Sequence, residues 1–289
     1  MRSDIRCFEI KNPKSLDDAF QILEKSATTS SFIAGGTDIM VLYEAGLLQK
    51  RSFINLWDIK ELKGIYTDSD QIRIGSLCTF TEIRMHPVLQ AEFPNLCQAA
   101  KETGSISIQN RGTLGGNIAN ASPAADSSPA LLSYEAEVEL KSKSGLRRIP
   151  YLDFHLSYKK TALRPDELVF SICLPRKKEP RFHFFRKVGT RKAQAISKIC
   201  MSVVSEIKEG IPQTFHLGMG SVAPIPLKCH ETESILTGKA LTSSLIKQAC
   251  QTLAQEIKPI GDIRSTSEYR SRVACNLLES CLIQMREKP

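Results

Sequence analysis

Runs of apolar residues broken by polar ones divide the chain into three stretches of different rhythm. In residues 1–58, a strand-like run at Cys7–Ile10 precedes Ser15-Leu16-Asp17-Asp18, where Ser15 can cap a helix running to Lys25 and Asp18 takes the acidic capping-box position. Ser31-Phe32-Ile33-Ala34 reads as the end of a short buried strand. Apolar side chains then recur at helical spacing from Ile39 to Leu48, and Ser52–Leu56 forms a third strand. Strands separated by helices predict parallel pairing in a small α/β subdomain.

Residues 59–175 show strands at Gln71–Gly75 and Ala136–Lys141 and helices near Thr81–His86 and Asn95–Thr103. Ser142-Lys143-Ser144-Gly145 reads as a hairpin turn before Arg147–Ile149, so this second subdomain should hold a largely antiparallel sheet. The charged, proline-bounded Arg176-Lys177-Lys178-Glu179-Pro180 predicts a boundary between a domain of residues 1–175 and one of residues 181–289. The latter has strands at Arg181–Lys187, Ile199–Ile207 and Thr214–Met219, then helices at Ser243–Ile257 and Ser267–Arg286. Its expected form is an α+β domain with a three-stranded sheet.

Composition narrows the picture. A chain of 289 residues that is 42% hydrophobic can fill two compact cores. No apolar run approaches the roughly 20 residues needed to span a bilayer, and Met1-Arg2-Ser3-Asp4 leads into no signal-peptide core, so the expectation is a soluble, cytoplasmic protein. The nine cysteines are scattered without a C-x-x-C pair, which argues against a disulfide framework, a metal site or an iron-sulfur cluster. The five histidines lack metal-ligand spacing. The formal charge of +8 is local: residues 141–198 hold sixteen Lys/Arg against four Asp/Glu, and the rest of the chain sums to −4. That stretch carries no nucleic-acid signature and is either a solvated face or a field that attracts an anionic cofactor or acidic partner.

Two segments suggest chemistry: Ala34-Gly35-Gly36-Thr37-Asp38 and Thr113-Leu114-Gly115-Gly116-Asn117. Each joins a glycine pair, which can bring main-chain N–H groups close to an anion, to side chains that add hydrogen bonds. A single Gly-Gly pair more often marks a tight turn; two with the same chemistry suggest a dinucleotide cradle. The first follows a strand and opens a helix, a placement that offers unpaired N–H groups to phosphate. Neither a P-loop nor a G-x-G-x-x-G is present here. Gly218-Met219-Gly220-Ser221-Val222-Ala223 follows a strand and fits the variant G-x-G-x-x-A, but Pro224 and Pro226 stand where its helix should open, and the nicotinamide-dinucleotide reading fails.

These two segments, the continuation Ile118-Ala119-Asn120-Ala121-Ser122-Pro123-Ala124-Ala125-Asp126, and Asp166-Glu167-Leu168-Val169 resemble the FAD-binding medium subunit of molybdenum hydroxylases, the family of xanthine dehydrogenase and aerobic carbon monoxide dehydrogenase. The resemblance covers nearly the whole chain. It implies an α+β chain: a two-subdomain FAD-binding fold of the PCMH/vanillyl-alcohol-oxidase type, followed by the α+β C-terminal domain. It also implies that Phe32, Ile33, Ala34, Gly35, Gly36, Thr37, Asp38 and Ile39 form the first FAD loop, and that Thr113, Leu114, Gly115, Gly116 and Asn117 close on the other side, with main-chain donors dominating both. Asp126 would reach polar FAD atoms beyond the phosphates; its other reading is an N-cap or turn residue. Leu168 and Val169 match an apolar pair beside the flavin ring, or else are strand core, and Lys187 matches a basic residue near the isoalloxazine. Arg111 is a further phosphate or partner candidate.

Relatives with covalent flavin use a loop His or Cys, and neither segment has one, so FAD should be noncovalent. The implied role is an oxidoreductase subunit that passes electrons from iron-sulfur clusters through FAD to NAD or another acceptor. Molybdopterin would lie on a large partner subunit and the clusters on a small one. A stand-alone FAD-dependent oxidase or reductase of the same fold, and an assembly subunit without FAD, are the rival readings.

Overall fold

The computed structural model describes residues 7–26, 29–177 and 179–287. In the first stretch, β1 (Glu9–Lys11), α1 (Leu16–Ser26), β2 (Ser30–Ile33), α2 (Thr37–Glu44) and β3 (Ser52–Asn55) follow in order, and the strands pair in parallel as β1-β3-β2. Ser15 Oγ accepts from the Asp18 amide and starts α1. Leu16, Ala19, Phe20 and Leu23, spaced along one face, are its buried residues. Their core also takes in Leu62, Leu77 and Leu168, so the small subdomain is completed by the next one. The α2 helix stops earlier than its apolar pattern predicts. Gly46 adopts φ 69°, its amide bonds Tyr43 O, and the Leu47 amide bonds Leu42 O, the paired bonds of a Schellman stop.

The second stretch holds β4 (Ile65–Thr67), β5 (Gln71–Gly75), α3 (Phe80–Met85), α4 (Pro87–Glu92), α5 (Pro94–Glu102), α6 (Ile106–Gln109), α7 (Leu114–Ala119), α8 (Ser127–Ser133), β6 (Glu137–Ser142), β7 (Gly145–Pro150), the small hairpin β8 (His155–Ser157) and β9 (Lys160–Thr161), and β10 (Leu168–Pro175). The main sheet, β4-β5-β10-β6-β7, is antiparallel throughout, with the expected turn joining β6 and β7. Ile72 and Ile74 of β5 and Val138 and Leu140 of β6 alternate toward one core shared with α3, α5 and α8. Four helices lie where no helical period was read, α4, α6, α7 and α8, and each has seven residues or fewer. Two turns or less do not establish a 3.6-residue rhythm, and tertiary packing holds such pieces in place.

The third stretch contains β11 (Arg181–Val188), β12 (Ile199–Lys208), β13 (Ile211–Pro212), β14 (His216–Gly220), β15 (Leu227–Lys228), α9 (His230–Leu236), α10 (Ser243–Glu256) and α11 (Ser267–Arg286). The three expected strands form β11-β12-β14, and the two-residue β13 and β15 extend the sheet to five. Both are too short to show alternation. Bends rather than a helix follow Gly220, in keeping with Pro224 and Pro226. The fully buried α8 lies between this sheet and the second core, so close that a Cβ on Gly218 would sit 2.2 Å from Pro129 O. Glycine at 218 thus serves sheet-to-helix packing.

Candidate functional site

The first glycine segment leaves β2 and turns into α2 at Gly36, whose φ of 76° lies in the left-handed region that favours glycine. Gly36 is the N-cap of α2 and no side chain caps the helix. Among the described residues, nothing accepts from the amides of Gly35, Gly36, Thr37 or Asp38; the first helical bond runs from the Met40 amide to Gly36 O. A cluster of unsatisfied donors at the positive end of a helix suits an anion. Phe32 and Ala34 pack on the α1 core, which fixes the turn from behind, while Ile33, Thr37 and Ile39 are half-buried and Asp38 is exposed.

The second segment differs from the loop of main-chain donors that was expected. Thr113 is the N-cap of α7, and its Oγ1 accepts from the Gly116 amide at 3.1 Å. The Leu114 amide bonds Cys78 O at 3.0 Å and the Gly115 amide bonds Ser76 O at 2.9 Å, so these donors are already engaged. Leu114 is buried, and a Cβ on Gly115 would come within 2.4 Å of Ser76 Cβ, which makes both packing residues. Gly116 is exposed, and a Cβ there would stand 2.9 Å from Thr113 Oγ1 and 3.9 Å from Ala34 Cβ. Gly116 is helical and has no positive φ; its smallness, not its backbone freedom, is what the site uses.

The two segments abut. A Cβ on Gly35 would fall 1.8 Å from Arg111 O, so the chain two residues before the second segment is pressed against the first. The Arg111 guanidinium lies 3.8 Å from the centre of the Trp57 ring, a stacking partner that spacing did not reveal. From α7 the connection continues inward: Ser127 Oγ donates to Asn117 Oδ1, and the preceding residue, Asp126, begins α8. Asp126 occupies the N-cap position without capping. Its Oδ2 lies 2.6 Å from Lys187 Nζ, and its Oδ1 accepts from Ser197 Oγ. Lys187 also donates to Glu102 O at 2.8 Å. The two side chains are 9% and 6% exposed, and burial holds the Asp126 carboxyl above its ordinary range against the pull of Lys187.

Leu168 and Val169 are both buried, on opposite sides of β10 at a register shift: Leu168 in the α1 core, Val169 in the core of the antiparallel sheet. The strand that carries them, β10, packs against α7 of the second segment. Ser197 and Trp57 were missed, because their partners lie far away in sequence. A cleft of about 380 Å³ between α1 and the β6–β7 turn, lined by Phe20, Leu23, Glu24, Lys143, Ser144, Pro165 and Asp166, includes none of the candidate residues. We place the site by its donor geometry, since a pyrophosphate needs N–H groups more than an apolar hollow. Open amides and an uncapped helix start fit FAD's diphosphate.

Residues 6–177 match the FAD binding domain in molybdopterin dehydrogenase, and residues 184–285 match the CO dehydrogenase flavoprotein C-terminal domain. The chain is 30% identical over 258 residues to a putative xanthine dehydrogenase FAD-binding subunit of Escherichia coli K12, covering 89% of this chain and 88% of the relative. It superposes with a TM-score of 0.92 on carbon monoxide dehydrogenase from Hydrogenophaga pseudoflava, at 26% identity and 96% coverage of both chains. The reconstituted CO dehydrogenase from Oligotropha carboxidovorans gives a TM-score of 0.93 at 25% identity, covering 98% of each. The first of these matches alone spans more than half of the sequence, and the chain belongs to the FAD-binding medium subunits of the molybdopterin dehydrogenase family, the xanthine dehydrogenase and carbon monoxide dehydrogenase type.

Proposed function

We propose that this chain is the flavin-holding electron relay of a molybdenum hydroxylase. FAD bound here would take electrons from iron-sulfur clusters on a small partner subunit, fed by molybdopterin on a large one, and would deliver them to NAD or another acceptor. The observation that carries the reading is the row of free amides at Gly35–Asp38, set against the second glycine segment. These amides would hold the pyrophosphate by hydrogen bonds and the α2 dipole, without a salt bridge. Thr113, whose hydroxyl hydrogen is not used in capping, and the amide group of Asn117 would close the other side. Leu168 and Val169 would support that side through α7. Lys187 would place its ammonium near the flavin ring, with its ion-pair partner Asp126, itself held by Ser197, fixing where it stands.

With no His or Cys in either segment, the flavin is held noncovalently. Acid precipitation of the yellow protein should leave all colour in the supernatant as intact FAD. Flavin that pellets with the polypeptide would overturn the assignment. The chain saturated with FAD should exchange electrons with an artificial acceptor yet fail to hydroxylate purines or aldehydes; turnover by the single chain would favour a stand-alone flavoenzyme instead.

A further inference from the structure

Cys250 on α10 and Cys275 on α11 face each other where the two longest C-terminal helices pack together. The residue before each, Ala249 and Ala274, is fully buried, and these small side chains allow the helices to approach closely. The Cys250 thiol reaches 3.5 Å from Cys275 O, and the Cys275 thiol reaches 3.3 Å from Cys250 O. Each sulfur therefore crosses to the other helix. Both cysteines are half-buried and so open to small reagents, whereas Cys78, Cys97, Cys173, Cys200, Cys229 and Cys281 are buried.

We propose that Cys250 and Cys275 form a thiol pair that closes to a disulfide between α10 and α11 on exposure to hydrogen peroxide. In that reaction one thiolate attacks a peroxide oxygen; the O–O bond breaks, hydroxide leaves and a sulfenic acid forms. The second thiolate attacks the sulfenic sulfur, the S–S bond forms and a second hydroxide departs. The two thiol protons convert both hydroxides to water, so two thiols are oxidised by two electrons while one peroxide is reduced. Turning each sulfur away from the opposite carbonyl toward its partner is the movement required. Burial pushes the Cys250 thiol up to about 11 and raises Cys275 as well, so closure is slow at neutral pH and accelerates about tenfold per pH unit below that range. The bridge would bind together the two arms that flank residues 257–266, where Ile263 is fully exposed.

The test uses the full chain treated with hydrogen peroxide at pH 8, with free thiols then alkylated and the protein digested without reductant. A Cys250–Cys275 linked peptide is expected, lost on dithiothreitol treatment. The oxidised protein should melt several degrees higher than the reduced one, and Cys250→Ser and Cys275→Ser should each abolish that shift. Recovery of Cys250 and Cys275 separately alkylated, or of either joined to another cysteine or another chain, would overturn the proposal.

Discussion

At the scale of single residues, the glycines of the site do three separate jobs. Gly36 takes a positive φ, Gly35 and Gly115 make room for neighbouring main chain or Ser76, and Gly116 leaves exposed space beside Ala34. Gly116→Val is therefore expected to keep the fold and lose FAD. The added methyls point into the space between the segments and crowd the Thr113 hydroxyl, 2.9 Å from the new Cβ. By intrinsic helix propensity valine is no worse than the glycine it replaces, so the exchange at this exposed position does not unfold the chain. Flavin absorbance per folded chain, with circular dichroism as the control, reads the outcome; full flavin content in the variant would remove Gly116 from the site.

Elements are joined by buried polar groups, and α9 shows how this becomes sensitive to pH. Glu233, in the first turn of α9, accepts from the Leu217 amide of β14 at 2.7 Å. Lys228 on β15, His230 on its own helix, and the carboxylates of Glu135 and Glu256 surround it. Burial is the largest influence and pushes its carboxyl up from 4.5 to about 7. The folded state thus holds this proton after the unfolded chain has released it, so the contribution to stability is complete below pH 4.5 and is lost as pH rises to 7. Glu233→Gln keeps an acceptor for Leu217 and removes the titration. The variant should gain on the parent protein over that interval, by up to about 3 kcal/mol, and run parallel above it. Urea unfolding at pH 5, 6, 7 and 8 measures the difference; a gap that does not change with pH would contradict the shift.

For the whole molecule, the question is how the flavin-binding part and the C-terminal part become one scaffold. Asn95, 3% exposed on α5, points its Nδ2 at Phe184 O, Ser202 Oγ and Val203 O on β11 and β12. Tyr134 OH meets the Asn95 amide on one side and His183 on the other. Asn95→Ala would remove these buried bonds between α5 and the sheet, and a loss of about 2 kcal/mol in urea unfolding is expected. Because Lys187 and Ser197 reach Asp126 across the same junction, flavin affinity should fall with it. Unaltered stability and flavin affinity together would show that the junction is held elsewhere. The basic stretch also looks different in three dimensions. Lys143, Arg147, Arg148, Arg176 and Lys187 pair with Glu24, Glu167, Glu137 and Glu139, Glu92, and Asp126, so a sizeable part of the local charge is neutralised by carboxylates folded against it. A steering field must come from the remaining cations.

The sequence by itself determined the long elements and the glycine pairs. A helix such as α11 repeats its apolar face over several turns, β5 and β6 alternate inward and outward, and Gly-Gly beside Thr, Asp or Asn is local chemistry that survives without knowledge of the fold. Only the tertiary structure decided which donors are free. The two glycine segments look alike in sequence, but the amides of Leu114 and Gly115 are taken by Cys78 O and Ser76 O from a distant turn, while those of Gly35–Asp38 stay open. It also decided that Asp126, which reads as an FAD contact or else an N-cap or turn residue, is held by Lys187 and Ser197, and that α8 is a helix at all. A hydrogen bond between residues sixty or seventy positions apart leaves no periodic trace in the chain; it exists because packing brings together groups whose desolvation would otherwise be costly, and each then takes the partner within reach.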